Sequence, residues 1–319
     1  MNAAVVESFA NPPRYATFRD PVPAEGQLLV KVHAAALSNL VKGQASGSHY
    51  SSGSELPFVP GNDGVGTLPD GQRVYFIGPP EPFGTMAEWS LTSPRRMIVL
   101  PDAVDDVTAA ALGNPGLASW GPLLGRARMQ PGESVLINGA TGVAGRQAIQ
   151  VARFLGARHI VATGRDESQF PSLLALGADR TISLNQPEDA LVEAFRAALA
   201  EVDIVLDYLC GPSAQYILNA ARGHGNPNGE HRIRYIQIGA ISGNTISLPA
   251  DILRSSGLEL MGSGLGSLSA AAIVAALTEM FKAAASTSLK IDTGPIPLSE
   301  VESAWQRTES GRRTVFTIP

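Results

Sequence analysis

The chain has 319 residues, more than one hydrophobic core usually holds, so two domains are expected. Its net charge of -5 and the absence of any Lys/Arg run longer than two leave no basic face for a phosphate backbone, which argues against nucleic acid as a partner. Hydrophobic residues at 44% and charged ones at 17% predict a chain folded throughout, and no apolar run nears the roughly 20 residues of a membrane span. The start, MNAAVVESFANPPRY, has neither a basic leader nor a long apolar stretch, so a cytoplasmic location is expected. A single cysteine, Cys210, allows no intrachain disulfide and no thiolate cluster, and reads as a small residue after a buried strand.

Residues 1–116 hold short alternating or apolar runs such as QLLVKVHA, punctuated by Pro and Gly, and predict an all-β, barrel-like region. Its many prolines, from Pro12 to Pro82, each remove a backbone donor and argue against long helices there. After Pro131 the pattern changes. Strands are predicted over 134–138, 159–163, 180–183, 202–207, 234–238 and 258–261, with helices over 143–155, 167–176 and 188–199 between the first of them. Gly156 and Gly177 follow two of these helices as left-handed caps. Such alternation implies a parallel sheet covered on both faces. An Ala-rich helix is predicted over 268–285, then a helix over 298–310 and a strand over 313–318; this tail should complete the first domain. The domains are thus 1–116 with 286–319, and 117–285. The stretch 223–231 reads as an exposed loop.

The sharpest signal is SVLINGATGVAGRQAIQVARFLG, a buried strand, a glycine-rich turn and an amphipathic helix, the context of a dinucleotide fingerprint. In the G-x-G-x-x-G frame the three positions are Ala140, Gly142 and Gly145, with Ala140 a departure at the tight turn. Thr141, Gly142 and Val143 would meet the pyrophosphate at the helix N-terminus, where N–H groups and the helix dipole favour an anion. The second strand ends at Gly164 and Arg165, where an NAD enzyme would place an acid on the ribose 2′-OH. Arg165 offers a planar fork of donors to a 2′-phosphate, so NADP(H) is the expected cofactor; the alternative makes the adjacent Asp166 the ribose acid.

VKVHAAALSN, LPFVPGNDGVG, DGQRVYFIG, PGESVLINGATGVAG, LGAD, RYIQIGAISG and GRRTVFTIP follow one another along the chain. With these segments in that order, the sequence resembles the zinc-free quinone oxidoreductase branch of the medium-chain dehydrogenase/reductase superfamily over essentially its whole length. The resemblance implies an α/β fold: a Rossmann doubly wound parallel sheet inserted in a GroES-like β-barrel catalytic domain. Positions matching the three catalytic zinc ligands of metal-dependent members hold Asn39, Asn62 and Asn114, and neutral amides are poor zinc ligands. The five histidines show no metal-like spacing, so no metal is expected.

Without a Lewis acid the accessible chemistry is hydride addition to an electrophilic acceptor, a quinone or an α,β-unsaturated carbonyl. Enoyl-thioester reduction, or an NADP(H)-binding protein with little catalysis, are the alternatives. By resemblance Asn39 sits beside the nicotinamide, and Tyr50 hydrogen-bonds a carbonyl or lies against the ring; these two are the candidate catalytic residues. Lys42 stands where relatives carry Asp and could reach a cofactor phosphate. Resemblance also places Asn114, Ile238, Gly239, Ala240, Gly264, Leu265 and, in the 311–313 turn, Arg312 against the cofactor. Leu184 stands where relatives often have an adenosine-contacting Tyr. A homodimer is expected, with the strand at 258–261 extending the sheet across a two-fold axis.

Overall fold

The computed structural model describes residues 1–223, 231–287, 289–307 and 311–319. Two compact units emerge, unit 1 from Met1–Asn114 with Ala270–Pro319 and unit 2 from Pro115–Ser269. Expected loop positions 224–230 and the end of the helix expected over 298–310 lie outside the described residues.

Unit 1 opens with an antiparallel pair, β1 (Asn2–Val5) and β2 (Arg14–Thr17). β3 (Leu28–Ala36) is the longest strand, and Leu37 and Ser38 lead from it into α1 (Asn39–Ala45). Ser38 starts that helix by accepting the Val41 N–H on Oγ at 3.1 Å, an N-cap bond that satisfies an otherwise orphaned donor. β4 (Asp63–Thr67), β5 (Arg73–Ile77), β6 (Trp89–Thr92) and β7 (Met97–Val99) follow.

Next comes α2 (Asp106–Trp120), a correction to the all-β reading of residues 1–116. No proline interrupts the stretch between Pro101 and Pro115, its Thr-Ala-Ala-Ala-Leu run is rich in strong helix formers, and Asp105 Oδ1 caps it by accepting the Thr108 N–H at 2.9 Å.

In unit 2 a π-helical turn, Gly121–Arg126, leads to β8 (Val135–Asn138), α3 (Val143–Phe154) and β9 (Ile160–Gly164). α4 (Phe170–Ala175), β10 (Arg180–Ser183), α5 (Glu188–Leu199) and β11 (Ile204–Asp207) continue the alternation. α6 (Gly211–Ala221), β12 (Arg232–Gln237), α7 (Ala250–Arg254) and β13 (Gly257–Gly262) complete it. The six strands are parallel in the order β10-β9-β8-β11-β12-β13, the doubly wound 3-2-1-4-5-6 arrangement when β8 is counted first. β8 and β11 are buried along their whole length, which is why they read as continuous apolar runs. The helix expected over 167–176 is split into a 3-10 turn, Glu167–Gln169, and α4, with Pro171 near the start of α4.

The chain then returns to unit 1 with α8 (Ala270–Ser286), β14 (Asp292–Pro297), α9 (Val301–Trp305) and β15 (Arg312–Thr317). The boundary expected at 285/286 therefore moves to 269/270. Apolar periodicity marks one face of α8 for burial without saying against what, and Phe281 on that face packs its ring 5.0 Å from Tyr75 of β5. The main sheet of unit 1 runs β14-β15-β3-β4-β5-β7, with β6 also paired to β3. Its core gathers Val30, Val32, Val74, Phe76, Met86 and Phe316 among others.

Candidate active site

The strand order of unit 2 reverses between β8 and β11, and in doubly wound sheets ligands bind beyond the carboxyl ends of the strands at such a point. Here those ends are tied by a buried polar network. Asn138 Nδ2 donates to Asp207 Oδ1 at 2.8 Å and to Ser213 Oγ at 2.9 Å, while its Oδ1 accepts from Thr163 Oγ1 at 2.8 Å. Asp207 also accepts the Leu209 N–H at 2.9 Å and the Tyr235 hydroxyl at 2.7 Å. Burial, then the Asp207 charge, push the Tyr235 phenol well above its ordinary range, so it stays a donor. The network fixes the ends of β8, β9, β11 and β12 against one another.

Above this floor lies the glycine turn. Gly139 adopts φ +93°, and a Cβ there would stand 2.8 Å from the Leu209 side chain. The tight-turn glycine is thus Gly139, which corrects the frame that put Ala140 in that role; the spacing is G-x-x-G-x-x-G. At Gly145 a Cβ would collide with the Gly139 carbonyl and with Ala140 Cα, so this glycine lets α3 pack onto the turn. Gly142 is different: the nearest atom to its Cβ position is the Gly139 oxygen at 3.7 Å, and no side chain caps the N-terminus of α3 there. The first N–H groups of a 12-residue helix are therefore presented beside an exposed glycine, flanked by half-buried Thr141 and Val143. Gly164, at the end of β9, has no room for a Cβ because Thr141 Cγ2 would lie 2.5 Å away.

Past Gly164, Arg165 is exposed. Asp166 is also exposed, but its carboxylate is committed: Oδ1 accepts from the Ser168 N–H and hydroxyl, and Oδ2 accepts from Gln169 Nε2 at 2.7 Å. The Ser168 hydroxyl, then Gln169, hold its pKa below the usual carboxylate range. Gln169 is itself held by Arg146 of α3, whose Nη2 donates to Gln169 Oε1 at 2.9 Å and to Ser172 Oγ at 3.0 Å. Sequence reasoning missed Arg146, because only the fold brings α3 beside the loop after β9. Leu184 is half-buried against the unit 2 core.

The loop after β12 carries the other expected contacts. Ile238 and Gly239 both direct their N–H groups to the Asp207 carbonyl, at 2.8 and 3.1 Å, which folds this loop over the end of β11. A Cβ on Gly239 would strike the Tyr208 carbonyl. Ala240 is exposed, as are Gly264 and Leu265, with Gly264 in a turn closed by Ser267 Oγ at 2.7 Å.

In unit 1 the strand registers gather a second group. β3 pairs with β15 through Ala36↔Val315 and with β4 through Ala34↔Val65, so the C-terminal end of β3 meets the starts of β15 and β4. Asn39 lies just past β3, Asn62 just before β4, and Arg312 and Arg313 open β15. Asn114 joins them, its Oδ1 accepting from Arg313 Nη2 at 3.5 Å. Asp63 is buried beside them, accepting the Tyr75 hydroxyl on Oδ2 at 2.6 Å. Asn62 also lines a pocket with Gln44, Ser51, Phe58 and Val59.

Three expected positions in unit 1 have surroundings of their own. Arg312 is exposed and donates from Nε to the Thr293 carbonyl at 3.2 Å, whereas Arg313 turns into the core; alternation along β15 separates two residues of identical type. Lys42 donates from Nζ to the Arg307 carbonyl at 3.3 Å. Tyr50 is 75% exposed, with its ring 4.2 Å from that of His49. Asp63 and Tyr75 were not read as part of a site from the sequence, and in the 311–313 turn Arg312 was singled out rather than Arg313. Among the described residues no group of three or more His, Cys, Asp and Glu is placed to hold a metal ion. Among the described residues no helix is long and apolar enough to cross a membrane.

No family model matches the chain. It is 29% identical over 359 aligned residues, spanning all of both chains, to the probable NADPH-dependent quinone reductase tdiC of Emericella nidulans. Quinone oxidoreductase-like protein 2 of Bos taurus is 30% identical over 249 residues, 74% of this chain and 67% of that one. The match to human quinone oxidoreductase is 30% over 201 residues, about three fifths (59%) of each. Among solved structures, the quinone oxidoreductase of Thermus thermophilus, determined alone and with NADPH, superimposes with a TM-score of 0.80 at 25% identity over 99% of this chain and 100% of that one. With the doubly wound sheet of unit 2, the split unit 1 and these relatives in agreement, the chain belongs to the quinone oxidoreductase branch of the medium-chain dehydrogenase/reductase superfamily.

Proposed function

We propose that this protein is an NADPH-dependent reductase that transfers hydride to a quinone or an α,β-unsaturated carbonyl without a metal. The observation that carries the cofactor half of this reading is the pair at the tip of β9: Asp166 is occupied by Ser168 and Gln169, while Arg165 projects beside it. A guanidinium there suits a 2′-phosphate, and a carboxylate already holding local donors is a poor ribose ligand. Thr141, Gly142 and Val143, with the uncapped N-terminus of α3, would hold the pyrophosphate, and Gly164 the adenosine end. Ile238, Gly239, Ala240, Gly264 and Leu265 would border the nicotinamide. NADPH, when bound, supplies the hydride. The Emericella and Thermus relatives, named respectively as an NADPH-dependent quinone reductase and a quinone oxidoreductase solved with NADPH, support the reading.

Donor chemistry supports the metal-free half. Asn39, Asn62 and Asn114 are neutral amides, the chain has one cysteine, and His33 is engaged by Asp106 at 2.9 Å and Thr67 at 3.2 Å. Amides of this kind can orient an acceptor carbonyl by donating to its oxygen. The pocket beside Asn62, lined by Gln44, Ser51, Phe58 and Val59 and also by Glu55 and Glu81, offers it a wall of mixed polar and apolar groups. Within this reading the protein is cytoplasmic and a homodimer. Leu260, 37% exposed on β13 at the edge of the unit 2 sheet, is consistent with pairing there.

The test is the disappearance of NADPH absorbance with purified protein and a panel of quinones and enones, run against NADH and with a chelator. Turnover is expected with NADPH in preference to NADH and unchanged by chelation. Dependence on added zinc would overturn the metal-free mechanism, and tight NADPH binding with no turnover on any acceptor would favour a binding protein instead.

A further inference from the structure

Arg313 is a buried cation with few partners. It is 8% exposed, its Nε is buried with no hydrogen-bond partner, and Nη2 reaches Asn114 Oδ1 at 3.5 Å. Asp63 acts on it through space but gives Oδ2 to the Tyr75 hydroxyl. Burying a guanidinium is costly unless its surroundings compensate, and a hydrophobic residue of similar size would often serve stability as well.

A guanidinium carries donors and no acceptor, so only the oxygen of the Asn114 amide can face it. The amide nitrogen must then point away from Arg313. We propose that Arg313 is a positioning residue for the reduction: it fixes Asn114 with Nδ2 turned out as a donor to the carbonyl oxygen of the acceptor. This rests on the reading of the amide cluster as acceptor-facing in an NADPH-dependent reductase. Hydride adds to the electrophilic carbon, the displaced π electron pair moves onto the carbonyl oxygen as an enolate, and water protonates it; a quinone product then tautomerises to the hydroquinone by passing its ring C–H proton to water while water protonates the second oxygen. The acceptor is reduced and NADPH oxidised. An oriented N–H aimed at that oxygen strengthens its bond as the negative charge grows, and the cation behind the amide polarises the same N–H. Burial pushes the Asp63 carboxyl up, and the Tyr75 hydroxyl and Arg313 oppose the shift, while burial pushes Arg313 down against the Asp63 charge. Asp63 and Arg313 thus each oppose the shift that burial imposes on the other.

A double-mutant cycle tests this on the full chain. Arg313→Met should lower kcat for a quinone by about tenfold or more, the scale of losing one aligned donor, with NADPH affinity by fluorescence unchanged. In an Asn114→Ala background the same change should alter kcat less than about twofold, because nothing remains to be oriented. Arg313→Lys, still a donor-only cation, should recover part of the loss. A variant independent of Arg313 folding is Asn114→Asp: a carboxylate opposite the guanidinium should raise Tm while kcat falls, since the outward donor is gone. Equal losses from Arg313→Met in both backgrounds, a parent-like kcat in Asn114→Ala, or an Asn114→Asp protein with lowered Tm would each overturn the inference. A parent that binds NADPH but reduces no carbonyl acceptor would instead overturn the reading beneath it.

Discussion

Arg165 and Asp166 are adjacent, opposite in charge and both exposed, and the hydrogen bonds that occupy Asp166 support the proposal that Arg165 meets the 2′-phosphate. A charge-assisted bond to phosphate is worth roughly 1.5 to 3 kcal/mol. Arg165→Ala should therefore weaken NADPH binding by about 10- to 100-fold and leave NADH affinity nearly unchanged. Added salt should weaken NADPH binding more in the parent than in the variant, since screening acts on the same contact. A parent that prefers NADH and is damaged by Asp166→Ala would reverse the assignment. Arg313 was beyond the reach of the same reasoning: beside Arg312 it is chemically indistinguishable, and only the register of β15 against β3 says which of the two enters the core.

The glycine turn and α3 were readable because strand, turn and helix each left their own period in the sequence, and only the turn frame slipped by one residue. The two glycines nearest the helix start now separate into different tests. At Gly145 an added Cβ meets backbone of the turn, which cannot step aside, so Gly145→Val should destabilise unit 2 by the roughly 1–3 kcal/mol or more of an overpacked contact. At Gly142 the Cβ direction is open, so Gly142→Val should keep the parent Tm and lose NADPH affinity, the side chain occupying the approach to the helix N–H groups. Equal Tm losses in both would mean that Gly142 serves packing alone. Elements without a period of their own were missed: β14, with two prolines in six residues, reads as loop, and α7 spans only five. α8 was found as a helix but assigned to the wrong unit, because periodicity reports that a face is buried and not what covers it.

Chain continuity and structural continuity part company in unit 1, which needs both ends of the polypeptide, while unit 2 is one uninterrupted stretch with its own sheet and core. That the tail returns was readable from the closing GRRTVFTIP strand pattern; where it returns required the sheet. β15 lies between β14 and β3, an interior position, and contributes Val315 and Phe316, both 0% exposed. Burial of two such side chains is worth roughly 3–6 kcal/mol together, before the ladder bonds on either edge are counted. Against a typical domain stability of about 5–15 kcal/mol, deleting residues 312–319 should unfold unit 1. Unit 2 loses none of its strands, so the truncated chain should still bind NADPH, and the cofactor should protect a fragment close to residues 115–269 from limited proteolysis. Mass spectrometry of the digest with and without NADPH reads the outcome. Complete digestion at the same rate in both, from a truncated chain with no cooperative transition left, would mean that unit 2 depends on unit 1 for its fold and that the nucleotide site is not a separable module.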